Sequence, residues 1–153
     1  MAHATITEKP PGKPVLKLIR RFDAPQALVW RAWTEPEALK RWFGPDGGPV
    51  LLAEVDLRAG GRFRVAFQTE DGERHEVGGV YREVQAHDRL VFTWAWVSTP
   101  ERISQVTLLL RSVEGGTELT LLHEKFFDLD ARDRHVRGWS GSIEKLDAYL
   151  HQF

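Results

Sequence analysis

The 153-residue chain contains no cysteine. That excludes disulfides, thiolate metal sites and a thiol nucleophile, and it fits a reducing, cytoplasmic setting. An excess of either charge is missing too: 21 Lys and Arg stand against 22 Asp and Glu, for a formal net charge of −1. Such a balance leaves no electrostatic footprint for nucleic acid or an anionic membrane. No apolar run approaches the ~18 residues that span a bilayer, and the N-terminus lacks the charged-then-apolar pattern of a signal peptide. The six histidines, His3, His75, His87, His123, His135 and His151, show no His-Glu-x-x-His or similar spacing. No metal or other cofactor is therefore expected. A Gly-x-Ser-x-Gly nucleophile elbow is also absent; Gly138-Trp139-Ser140-Gly141 falls one residue short of it.

Tyrosine and methionine are scarce, at two and one, whereas Trp and Phe number six and eight. Each large ring buries on the order of 150–250 Å². This composition suits either a Trp-rich core or an aromatic-lined cavity. An apolar fraction of 42% and a charged fraction of 28% are ordinary for a chain that folds as one soluble domain.

The C-terminal stretch from Asp128 to Phe153 carries Val136, Trp139, Ile143, Leu146, Leu150 and Phe153 at spacings of three and four. That pattern predicts one long helix with a single apolar stripe, capped by Asp128 or Asp130. Residues 1–14 hold three prolines and little hydrophobic pattern, and read as a loose arm before a single domain over 15–153. Val15–Phe22 reads as a strand. Asp23 is a candidate cap for a short helix, and Thr34 with Glu37 a candidate capping box for a second, ending at Trp42-Phe43. After the Gly/Pro-rich loop from Gly44 to Pro49 the period changes to two. Strands follow near Val50–Leu57, Arg62–Phe67, Glu76–Val84, Leu90–Trp96, Val106–Leu110 and Leu119–His123, separated by turn signals. Gly78-Gly79 suggests a bulge or bend. Arg62, Arg64 and Arg82 alternate against the aromatic positions, as a solvated outer face would. The order β-α-α-β-β-β-β-β-β-α predicts an α+β fold with an antiparallel meander whose aromatic face the last helix covers.

Several motifs fall in the order of a known family: Phe22-Asp-Ala-Pro25, Trp42-Phe-Gly-Pro45, Asp56-Leu-Arg-Ala-Gly-Gly61, Arg89-Leu-Val-Phe-Thr-Trp94, Gly116-Thr-Glu-Leu119, His123-Glu124 and Gly138-Trp139. Together they resemble the family related to the C-terminal domain of the activator of heat-shock protein 90 ATPase, within the START-like, or SRPBCC, superfamily. The resemblance implies a helix-grip fold, a curved antiparallel sheet of about six or seven strands wrapped round a long C-terminal helix. It also implies a cavity between sheet and helix, open to a small apolar or aromatic molecule. Fold alone does not choose among the superfamily's activities.

Within that frame Trp42, Phe43, Phe63, Phe67, Trp94, Trp96, His123, Arg132, His135, Trp139 and Ile143 are the candidate ligand-binding residues. Rings supply burial, while Arg132, His123 and His135 supply oriented polar contacts. Arg132 and His135 alternatively project past the sheet into water. Trp42-Phe43 is either a plug or a pocket wall, with Gly44–Gly48 as a mobile lid. In the predicted helix Gly138 flanks the inward stripe, where another backbone or a ligand could approach, and Gly141 points outward without a packing reason. The expected function is binding of a small hydrophobic or aromatic ligand. An enzyme of cyclase or dehydratase type on the same cavity is the alternative, with His123 and His135 as weak acid–base candidates and no assigned catalytic residue. The family name also implies a chaperone partner, against which the short arm argues. A homodimer through an exposed sheet edge or an aromatic surface stays open.

Overall fold

A computed structural model describes residues 3–8, by their backbone, and residues 13–153. The elements are β1 (His3–Glu8), β2 (Pro14–Phe22), α1 (Gln26–Thr34), α2 (Pro36–Trp42), β3 (Val50–Val55), β4 (Arg62–Gln68), β5 (Arg74–Gln85), β6 (Arg89–Trp96), β7 (Ser104–Val113), β8 (Gly116–Glu124) and α3 (Leu129–Leu150). The sheet order is β1-β2-β8-β7-β6-β5-β4-β3, antiparallel at every pairing. β3 to β8 form the expected meander. The one long-range closure is between β2 and β8, with Leu18 opposite Leu121. The helices α1 and α2 make the crossing from β2 to β3. This is the α+β helix-grip arrangement, with α3 packed against β2, α1 and α2.

Seven strands, β2 to β8, correspond to those read from the sequence. His3–Glu8 adds an eighth, paired with β2 from His3 opposite Ile19 to Glu8 opposite Pro14. Those residues were expected in a loose arm. Their alternating His-Ala-Thr-Ile-Thr-Glu pattern suits an edge strand, and the free edge of β2 supplies the backbone partner.

The short helices begin differently from expectation. α1 starts after Pro25, whose extended backbone places its carbonyl to accept from Leu28 and Val29. Asp23 lies too far upstream to cap, and pairs with Arg21 instead. α2 starts after Glu35, with Pro36 in its first turn and no side-chain cap. Thr34 ends α1, donating its hydroxyl back to the Trp30 carbonyl at 2.8 Å. The longer α3 has the predicted cap: the Asp128 carboxylate accepts from Ala131 N–H at 2.8 Å.

Strand patterning places the core. β8 alternates strictly, burying Leu119, Leu121 and His123. β4 buries Phe63, Val65 and Phe67 and exposes Arg62 and Arg64. From α3, Trp139, Ile143, Leu146 and Leu150 enter the same core, while Phe153 lies beyond the helix and is exposed. At Gly79 a side chain would meet the Thr93 carbonyl at 1.9 Å, so only glycine fits. The neighbouring Val80 N–H turns to the Thr93 hydroxyl at 2.8 Å, and the register shifts between Tyr81 and Glu83. The expected bend is there, with the bulge a few residues later.

Candidate functional site

Aromatic rings from four elements meet under the first half of α3. Phe63 and Phe67 come from β4, Phe92, Trp94 and Trp96 from β6, Phe43 from the end of α2 and Trp139 from α3. Trp94 and Trp139 lie 5.0 Å apart between ring centroids, and Phe43 lies 6.2 Å from each. These three rings separate two spaces. On the inner side, between sheet and helix, is an apolar void of about 20 Å³, also bordered by Trp33, Phe63, Tyr81 and Phe92. On the outer side is an open cleft of about 920 Å³. The interior is thus nearly filled, with room on the scale of one water molecule. The expected cavity between sheet and helix is displaced outward, because Trp33, Phe63, Tyr81 and Phe92 with their aliphatic neighbours fill the interior behind Phe43, Trp94 and Trp139. The Trp33 indole N–H, buried beside the void, has no acceptor among the described residues.

The helix face toward the cleft is made by Ala131, Arg134, His135, Gly138 and Ser142, at helical spacing. Three of these are small. A methyl group at Gly138 would meet nothing within 4 Å. Gly141 is the opposite case: a Cβ there would lie 2.2 Å from the Pro45 carbonyl oxygen. No backbone approaches Gly138, which leaves the ligand alternative there, and Gly141 has the packing reason that the sequence did not show. Gly138 faces open space, and Gly141 permits close approach of the loop after α2.

That loop forms the far lip of the cleft, and it is fastened. Ser142 donates its hydroxyl to the Gly44 carbonyl at 2.8 Å. Lys145 donates to the carbonyls of Phe43, Gly44 and Asp46. Burial pulls the Lys145 ammonium below its ordinary pKa, against the nearby charges of Asp46 and Glu70. The Asp46 carboxylate accepts from the backbone N–H groups of Gly48 and Glu70. Gly44–Gly48, for which a mobile lid was one of two readings, is bonded to α3 and to the β4–β5 turn.

Two imidazoles stand behind and beside the cleft. His123 is fully buried. Its Nδ1 accepts from the Trp139 indole N–H at 3.0 Å, so the proton is on Nε2, which donates to the Ser104 hydroxyl at 2.7 Å. Ser104 in turn donates to the Trp94 carbonyl. His135 has the other tautomer. Its Nδ1 donates to the Ala131 carbonyl at 2.7 Å, and its Nε2 accepts from both Trp94 and Trp96, at 3.2 and 3.1 Å. The two rings are 5.0 Å apart. Burial, and then each other's proximity, holds the His123 pKa well below 6.5. Burial also lowers that of His135, against its bond to the Ala131 carbonyl. Both are neutral at pH 7, and every ring nitrogen is engaged.

Comparison with known proteins fits this architecture. A family model described as "Activator of Hsp90 ATPase homolog 1-like protein" matches residues 23–151. The chain belongs to this family. Protein NE0264 from Nitrosomonas europaea is 30% identical over 90% of this chain and 94% of that one, with a TM-score of 0.77. The AHSA1 protein SPO3351 from Silicibacter pomeroyi is 26% identical over 90% and 98%, with a TM-score of 0.81. A protein from Rhodobacter sphaeroides is 25% identical over 99% and 100%, also at 0.81. No curated protein matches the chain. Among the described residues no helix is long and apolar enough to cross a membrane, and no three His, Asp or Glu side chains gather as metal ligands would.

For this member of the Hsp90 ATPase activator homologue family, the candidate residues divide by position. Phe43, Phe67, Trp94, Trp96, His135 and Trp139 border the cleft. Phe63 borders only the inner void. Trp42, His123 and Ile143 are buried behind both; the Trp42 indole is spent on the Ala32 carbonyl at 2.9 Å. Arg132 does not border the cleft and bonds Asp133 at 3.2 Å, while Arg134 and Arg137 do border it. The missed residues are Lys145, Ser142 and Ser104. Lys145 and Ser142 are polar side chains whose partners lie about a hundred positions away, and no local periodicity signals such bonds.

Proposed function

We propose that the protein binds a small apolar or aromatic molecule in the cleft between the Gly44–Asp46 loop, the ends of β4 to β6 and the first half of α3. The observation that carries this reading is the cleft itself. It offers about 920 Å³, a floor of Phe43, Trp94 and Trp139 rings, and a helix wall kept low by Gly138. That volume is in the range of small-molecule sites, and the lining combines apolar surface with a few polar groups. Open space above Gly138 costs helix stability of about 1 kcal/mol relative to Ala. A cleft that must stay unfilled accounts for that cost, whereas a purely structural helix gains nothing from it.

The test is a pair of substitutions at one position. Gly138→Ala leaves most of the cleft open, and Gly138→Phe projects a ring into it from a position where the first added carbon meets nothing within 4 Å. Naphthalene derivatives and medium-chain alcohols, screened by thermal shift and isothermal titration, are expected to bind the natural protein and Gly138→Ala but not Gly138→Phe. Equal binding to Gly138→Phe, or no binding to the natural protein, overturns the reading.

A further inference from the structure

The cleft has more donors and cations than the protein itself satisfies. Trp94 and Trp96 both aim their indole N–H at Nε2 of His135, at 3.2 and 3.1 Å. A neutral imidazole nitrogen has a single in-plane lone pair, so two donors divide the capacity of one. The cations show the same surplus. Arg74 and Arg134, on the cleft border, are matched by Glu76 and Asp130, each at 3.2 Å. Arg102 and Arg137 border the cleft as well, and among the described residues neither has a carboxylate within 4.0 Å. Arg102 lies over the exposed Phe127 ring, 3.9 Å from its centroid. Of the bordering carboxylates, Glu76 is taken by Arg64 and Arg74, and Asp46 by two backbone N–H groups. That leaves Glu73, on the β4–β5 turn, as the one facing no cation among the described residues.

We propose that the occupant of the cleft is an aromatic or apolar carboxylate. Its body lies against Phe43, Trp94 and Trp96, one carboxylate oxygen takes an indole N–H now shared at His135, and Arg102 and Arg137 match its charge. This rests on the ligand-binding function proposed above. A planar carboxylate suits the guanidinium fork, and it accepts from a neutral N–H without needing a donor of its own. A cationic ligand would face two unmatched arginines and two N–H groups against the single unmatched carboxylate of Glu73.

Three probes of one shape separate the possibilities: 2-naphthoate, 2-naphthylmethanol and 2-naphthylmethylamine, titrated calorimetrically at low and at 0.5 M salt. The carboxylate is expected to bind about tenfold or more tighter than the amine, with the alcohol between them and the preference shrinking in salt. Combined Arg102→Gln and Arg137→Gln, both at exposed positions, is expected to erase the preference and leave the alcohol's affinity within about threefold. Trp96→Phe is expected to weaken carboxylate and alcohol together. Binding of the alcohol with the amine equal to or tighter than the carboxylate overturns this assignment and leaves the cleft as a ligand site. Failure of all three to bind, in the natural protein, overturns both.

Discussion

The two halves of α3 belong to one unbroken helix and face different surroundings. From Gly141 to Leu150 the helix is held on all inner sides. Ile143, Leu146 and Leu150 fill the core. Arg20, itself buried on β2, reaches Glu144 at 2.6 Å and Asp147 at 2.8 Å. Ser142 and Lys145 hold the loop after α2. From Leu129 to Ser140 only Trp139 is buried; small or polar side chains face an open cleft. One end is an anchor and the other a wall. The lesson is that amphipathic spacing marks where a helix touches the protein, while small residues on the same face mark where it is kept away.

The comparison breaks most easily at the anchor. Leu146→Ala removes a fully buried side chain and is expected to cost about 2–5 kcal/mol, measured by urea unfolding. A loss below ~1 kcal/mol would show that this half is not the fastened one. Gly141→Ala comes next. The added methyl gains about 1 kcal/mol in helix propensity but meets a backbone carbonyl at 2.2 Å, and overpacking of that kind costs about 1–3 kcal/mol. Net destabilisation is expected, with loosening of the Gly44–Asp46 loop visible as faster amide exchange.

Acid sharpens the contrast from the other side. His123 and His135 have lowered pKa values in the folded protein, so the unfolded chain binds more protons as pH falls below about 6.5. Stability is therefore complete above that pH and is lost on going down. His123 contributes up to about 1.4 kcal/mol per pH unit, and His135 a smaller share. Unfolding curves between pH 7.5 and 5 measure the slope, and His123→Gln is expected to flatten it while lowering stability at neutral pH. An unchanged slope would exclude His123 as its source. The smallest effect is expected at Gly138→Ala, a gain of about 0.5–1 kcal/mol, since the new methyl occupies open space. A loss there would mean that the wall and the anchor do not differ.

Much of this was legible in the sequence. Period-two and period-3.6 patterns are local, and they located all seven meander and closing strands and the long helix. The Asp128 cap was legible for the same reason. The starts of α1 and α2 were not, because Pro25 and Pro36 determine where the backbone turns helical, and a polar residue nearby is then bypassed. At the site, the helical wheel brought His135 and Trp139 to the correct side. It set Gly138 beside the inward stripe but found no packing reason for Gly141, since that reason is Pro45, which reaches the helix only after the chain has folded. It also favoured Arg132 over Arg134, two residues apart in sequence but on nearly opposite sides of the wheel, because the stripe was centred on buried Trp139 rather than on the cleft beside it. His123 was correctly read as inward. That it is consumed by Trp139 and Ser104 depends on three separate elements meeting.

The partition of rings between void and cleft is part of a longer series. Trp42, Trp33, Trp139, Trp94 and Trp96 follow one another at centroid separations of 4.8, 5.8, 5.0 and 5.6 Å. Only Trp30, beside His87, stands outside it. Indoles this close exchange excitation, and the end of the series at Trp96 lies at the cleft beside His135. Ultraviolet light absorbed anywhere along that chain is thus shared with Trp94 and Trp96, the indoles bonded to His135. The protein's own fluorescence is in effect a gauge of that place, sensitive to a guest molecule or to protonation of one imidazole without any added label.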